Sequence, residues 1–80
     1  MISVDIFKII EKAQEGFNSS SRLIIDIGLP CTIKNYKQLK IIMLQYGCIP
    51  ATRKGKNGYL IDVMDIRYKL AQEIIELCRK

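Results

Sequence analysis

Apolar residues recur at helical spacing in several stretches of the chain, and Gly, Pro, Ser and Asn separate those stretches. Ile6, Ile10, Ala13 and Phe17 fall on one helical face, with Lys8, Glu11, Lys12 and Glu15 largely opposite, so a helix is predicted over residues 4–15 with Gly16 as its stop. Asn18-Ser19-Ser20-Ser21 is a polar break whose serines can cap the next element. Residues 22–27 are ambiguous: Leu23, Ile24 and Ile27 fit a short helix, whereas the Leu23/Ile25/Ile27 alternation fits a strand. A short helix is the expectation. Gly28-Leu29-Pro30-Cys31 breaks the chain again, and Thr32 is placed to cap a helix over 33–46 that Gly47 ends.

Stepping 100° per residue along that helix gathers Tyr36, Leu39, Ile42, Met43 and Tyr46 into one arc, and Lys34, Lys37, Gln38, Ile41 and Gln45 into the opposite one. The first arc is expected to pack and the second to face outward. Residues 48–54 and 59–63 then flank Gly55-Lys56-Asn57-Gly58, whose Asn-Gly pair signals the turn of a β-hairpin with a basic tip. Pro50, lacking an N–H, marks its strand as an edge. A last helix is expected from about Asp65 to Lys80, with Ile66, Leu70, Ile74 and Leu77 as its stripe. The expected fold is α+β, mainly α, in a single domain over residues 1–80, with three to four helices and one hairpin.

Charge changes this picture. Residues 1–33 carry Lys8, Lys12 and Arg22 against Asp5, Glu11, Glu15 and Asp26, a sum of −1, and residues 59–80 balance, so all the positive excess behind the net +5 lies between them. From Lys34 to Gly58 there are six cations, Lys34, Lys37, Lys40, Arg53, Lys54 and Lys56, and no acid. A merely solvated surface intersperses both signs, as the two ends of this chain do. The middle segment is a positive field aimed at an anionic partner.

Candidate catalytic chemistry is sparse. With no His, a general base near neutral pH needs a strongly shifted carboxylate, Cys or Lys, and no nucleophile elbow or phosphate loop is present. Asp62 and Asp65 sit where a helix starts and read as capping and macrodipole complement. An enzyme is not expected. Cys31, Cys48 and Cys78 form no C-x-x-C pair, so neither a metal site nor another cofactor is expected, and the odd number points to reduced thiols in the cytoplasm. Asp5 interrupts what would be the apolar part of an export signal, and no apolar run approaches a membrane span.

The positive field covers the polar face of one helix and the tip of the hairpin after it. In this respect, and in Gly47-Cys48-Ile49-Pro50-Ala51-Thr52-Arg53 followed by Gly58-Tyr59-Leu60-Ile61 and Asp65-Ile66, the chain resembles small winged helix-turn-helix proteins. The resemblance is greatest to the excisionase and MerR-like group common on mobile elements. It implies DNA binding, with a helix in the major groove and a wing tip on phosphates or the minor groove. Lys34, Asn35, Lys37, Gln38, Lys40 and Ile41 would then lie towards the groove, with Asn35 and Gln38 reading base edges, and Arg53, Lys54, Lys56 and Asn57 would form the wing contacts. Duplex DNA is the favoured partner; Tyr59 offers a stacking surface if the ligand is single-stranded. The implied role is that of a regulator or an accessory of recombination or replication. The alternative is a protein-interaction module or small inhibitor that binds an acidic protein, with Ile41 and Leu44 as a partner or homodimer contact.

Overall fold

The computed structural model describes residues 4–79. It contains four helices and one three-stranded antiparallel sheet: α1 (Ile6–Lys12), β1 (Gly16–Ser19), α2 (Ser20–Asp26), α3 (Ile33–Gln45), β2 (Ile49–Arg53), β3 (Lys56–Ile61) and α4 (Val63–Cys78). The sheet order is β1-β3-β2.

α1 is capped by Asp5, whose carboxylate accepts from Phe7 N at 2.9 Å, and it buries Ile9 and Ile10. It ends at Lys12, short of the expected Glu15, because Asn18 captures the backbone beyond it. Asn18 Oδ1 accepts from Gln14 N at 2.9 Å, and Asn18 Nδ2 donates to Gln14 O at 2.7 Å and to Gly16 O at 3.1 Å. This turn, completed by Gly16 at φ +93°, launches β1 along β3 with Phe17 opposite Leu60 and Asn18 opposite Tyr59. The expected polar break is therefore half strand and half helix. Ser19 ends β1 and caps α2, accepting from Arg22 N at 3.3 Å.

α2 resolves the ambiguity of residues 22–27 as helix, burying Leu23 and Ile24 while Ile25 faces out. The turn after it carries Gly28 at φ +82°, with Leu29 N donating to Ile24 O. Thr32 caps α3 by accepting from Asn35 N at 3.2 Å. α3 packs Leu39, Ile42 and Met43 inward, with Tyr36 and Tyr46 at the margin of the core. Gly47, at φ +76°, closes it, and Cys48 N donates back to Met43 O.

The hairpin is present, but its turn lies elsewhere than expected. Lys54 and Gly55 have φ of +53° and +77°, the paired positive angles of a two-residue type I′ turn, and Arg53 pairs with Lys56. Asn57 and Gly58 belong to β3, opposite Thr52 and Ala51. Gly58 is needed there because β1 crosses so closely. A Cβ would collide with Asn18 O and lie 2.8 Å from Phe17 Cζ and Ser19 Cα. Pro50 lies on β2, an edge of the sheet as its missing N–H requires.

α4 starts at Val63, two residues before the expected Asp65, because Asp62 caps it by accepting from Asp65 N at 3.0 Å, while Glu15 Oε2 accepts from Val63 N at 2.8 Å; the expected end at Lys80 lies outside the described residues. Ile66 and Leu70 join one core with Val4, Ile9, Leu23, Ile24, Leu39, Met43, Cys48 and Ile61. Of the expected stripe, Ile74 and Leu77 lie beyond that core. Every described side chain from Ala71 onward is exposed.

Candidate nucleic-acid interface

α3 and the β2–β3 hairpin form two walls of a cleft of about 560 Å³, and the start of α2 forms its end. Ile33, Tyr36, Lys37 and Lys40 line it from α3; Lys56, Asn57 and Tyr59 from β3; Ser20 and Ser21 from α2. A shallower depression of about 320 Å³ continues from Ser20, Lys40, Asn57 and Tyr59 across Pro50, Ala51 and Thr52 of the edge strand. None of the residues lining either one is a carboxylate. Three lysines, two serines and one asparagine thus line a concavity together with Ile33, Tyr36 and Tyr59. That donor-rich, acid-free arrangement suits an anion.

Local structure explains how the cations reach it. Thr32 and the turn at Gly28 fix where α3 begins, and on that helix Lys37 and Lys40 are exposed whereas Leu39 and Met43 are buried. The type I′ turn folds β3 back antiparallel to β2, setting Lys56 at the cleft and Arg53 and Lys54 at the exposed tip. Arg53 Nη1 donates to Thr52 O at 2.9 Å, and Thr52 Oγ1 is 3.1 Å from Asn57 Oδ1, so the base of the tip is tied across the hairpin.

The other expected site residues divide. Lys34 and Ile41 are exposed on α3, outside the residues that line the cleft, and Ile41 is 63% exposed with Leu44 beside it at 50%. Asn35 is not on this surface. It is buried, and its Nδ2 donates to Pro30 O at 2.8 Å, which ties the α2–α3 turn to the first turn of α3. Gln38 is half-buried and its Oε1 accepts from Val4 N at 3.4 Å, so this side chain joins α3 to the segment before α1. Tyr59 touches the cleft but is only 7% exposed, too little for a base to stack on its face. Burial, with Cys48 beside it, pushes its phenol above the ordinary value, so it stays neutral.

Four contributors, Ser20, Ser21, Ile33 and Tyr36, are not apparent in the sequence as site residues. Ser20 and Ser21 read there as part of a break, and Tyr36 as core. Tyr36 is half-buried, and a hydrogen bond with Cys31 pushes its hydroxyl up from the ordinary phenol value. The available signal is helical phase, which puts Tyr36 at the edge of the packed arc, one residue from Lys37.

The chain matches no protein-family model, no curated protein and no solved structure. Among the described residues, no group of three or more His, Cys, Asp or Glu is arranged to hold a metal ion, and no helix is long and apolar enough to cross a membrane.

Proposed function

We propose that this chain binds duplex nucleic acid in the manner of a winged helix, with α3 entering the major groove and the β2–β3 hairpin acting as the wing. The observation that carries the proposal is the acid-free cleft between those elements, with Lys37 and Lys40 on one wall and Lys56 on the other. The sheet lends support: β1 pairs with β3 and so braces the hairpin. In this reading Lys37, Lys40 and Lys56 neutralise phosphates, Arg53 and Lys54 extend the contact along the backbone, and Ile41 meets thymine methyl groups. Asn35 and Gln38 serve the fold. The role implied is that of a regulator, or an accessory of recombination or replication, on a mobile element.

A second reading, an interaction module for an acidic protein, draws on the exposure of Ile33, Ile41 and Leu44 beside the same lysines. Fluorescence anisotropy with random duplex, random single strand and polyglutamate, each at low and high salt, separates the two. Duplex bound most tightly supports the winged-helix reading. Failure to bind either nucleic acid at low salt, with polyglutamate retained, favours the protein partner.

A further inference from the structure

α4 carries two apolar stripes, and the core uses only one. Ile66 and Leu70 point inward, whereas Met64, Tyr68, Ala71, Ile75 and Cys78 follow one another at spacings of 4, 3, 4 and 3 on a face about 140° away. All five are exposed, Met64 by 70% and Tyr68 by 66%. That spacing is the heptad alternation of a helix meant to lie along another helix. The residues flanking the stripe identify which helix. Asp65, Gln72 and Arg79 run along one side, and Arg67 and Ile74 along the other.

We infer that α4 pairs with α4 of a second copy of this chain, antiparallel, about a two-fold axis at Ala71. In that register Met64 meets the partner's Cys78, Tyr68 meets the partner's Ile75, and Ala71 meets its own counterpart, where its small side chain admits close approach of the backbones. Asp65 then lies opposite the partner's Arg79, twice per dimer, and Gln72 opposite the partner's Gln72. A parallel pair sets Arg67 against the partner's Gln72 and Ile74 against the partner's Arg79, with no opposite charges facing. Charge therefore selects the antiparallel arrangement. The exposed half of α4 beyond Leu70 gains a partner in this way: each protruding end covers the first turns of the other copy's helix.

This pairing is independent of the nucleic-acid reading, and its test contains no nucleic acid. In a Cys31→Ser background, which removes the other exposed thiol, the Met64→Cys variant is oxidised mildly and run on a non-reducing denaturing gel, with sedimentation of the reduced protein alongside. A disulfide-linked dimer is expected from the variant, joined through the partner's Cys78. The Cys31→Ser protein alone should stay uncrosslinked, because an antiparallel pair holds its two Cys78 thiols about 21 Å apart along the axis. Ile75→Glu should shift sedimentation to monomer by at least tenfold in dissociation constant while helical content persists. A monomer at all concentrations, or a Cys31→Ser protein that crosslinks as readily as the Met64→Cys variant, overturns the proposal.

Discussion

Asn18 and Gln14 are joined twice, the Asn18 amide accepting from Gln14 N and donating to Gln14 O, so that one buried side chain stands in for a peptide partner. This link ends α1 and directs the chain into β1. Asn18→Leu should leave three part-buried backbone groups, Gln14 N, Gln14 O and Gly16 O, without this partner and cost about 2–4 kcal/mol. Urea unfolding measures this. Asn18→Asp, which keeps the acceptor and loses the donor, should fall between the two proteins, and an Asn18→Leu midpoint equal to the parent's would show that the link contributes nothing to β1.

The glycines of the hairpin should respond for different physical reasons. At Gly58 an added methyl strikes the β1 backbone, so Gly58→Ala should cost about 2–3 kcal/mol or detach β1 from the sheet. At Gly55 space is open and only the positive φ resists, so Gly55→Ala should cost about 1 kcal/mol. Lys54→Asn supplies the residue that the first turn position favours and should gain roughly 0.5 kcal/mol. Thermal midpoints of the three variants, measured together, check the order.

These same residues show what is legible in the sequence and what is not. α3 and α4 are readable because their limits are local chemistry: Thr32, Gly47 and Asp62 act on amides and carbonyls a few residues away. β1 is not, because four residues beginning at a glycine have no strand signal of their own and exist only by pairing with β3. The hairpin is legible and its turn is not. Lys-Gly and Asn-Gly compete within five residues, and the contest is settled by β1, which tolerates only glycine at position 58. On α3, stepping about 100° per residue sets Asn35 within the arc of Ile42, Leu39 and Met43. Its amide suggests a base reader, but its phase is that of the core, where the same amide braces a turn. Lys37, Lys40 and Lys56 stand out by charge alone; that they share one cleft is a tertiary fact.

Stability should be lost on the alkaline side. Burial pushes the Cys48 thiol above its ordinary value, against a smaller opposing effect of Lys69, and burial raises Tyr59 as well. For such groups the folded state holds the proton more tightly, so their contribution is complete below the unfolded value, 9.0 for the thiol, and is lost as pH rises through the folded one. The thermal midpoint should therefore be insensitive to these groups from neutral pH to about 9 and fall above it. Cys48→Ala should start less stable and show a smaller further loss between pH 8 and 10. An equal loss in both proteins would assign the alkaline limb to other groups.

The proposed binding surface and the folding surface of α3 should separate cleanly under substitution. Leu39 is fully buried, so Leu39→Ala should cost about 2–5 kcal/mol and abolish binding by unfolding the domain. Gln38→Ala removes the acceptor for Val4 N and should cost about 1 kcal/mol while leaving affinity for duplex unchanged. Lys37, Lys40 and Lys56 are exposed, so replacing all three by Ala should move the thermal midpoint little. If each neutralises one phosphate, the slope of log K against log salt should become shallower by about 2.7, with affinity lost equally on every duplex sequence. Replacing Lys8, Lys12 and Arg22, cations that do not line the cleft, is the matched control for net charge. An equal loss of affinity in the control would show that the chain attracts nucleic acid by its overall charge, with no part for the cleft between α3 and the hairpin.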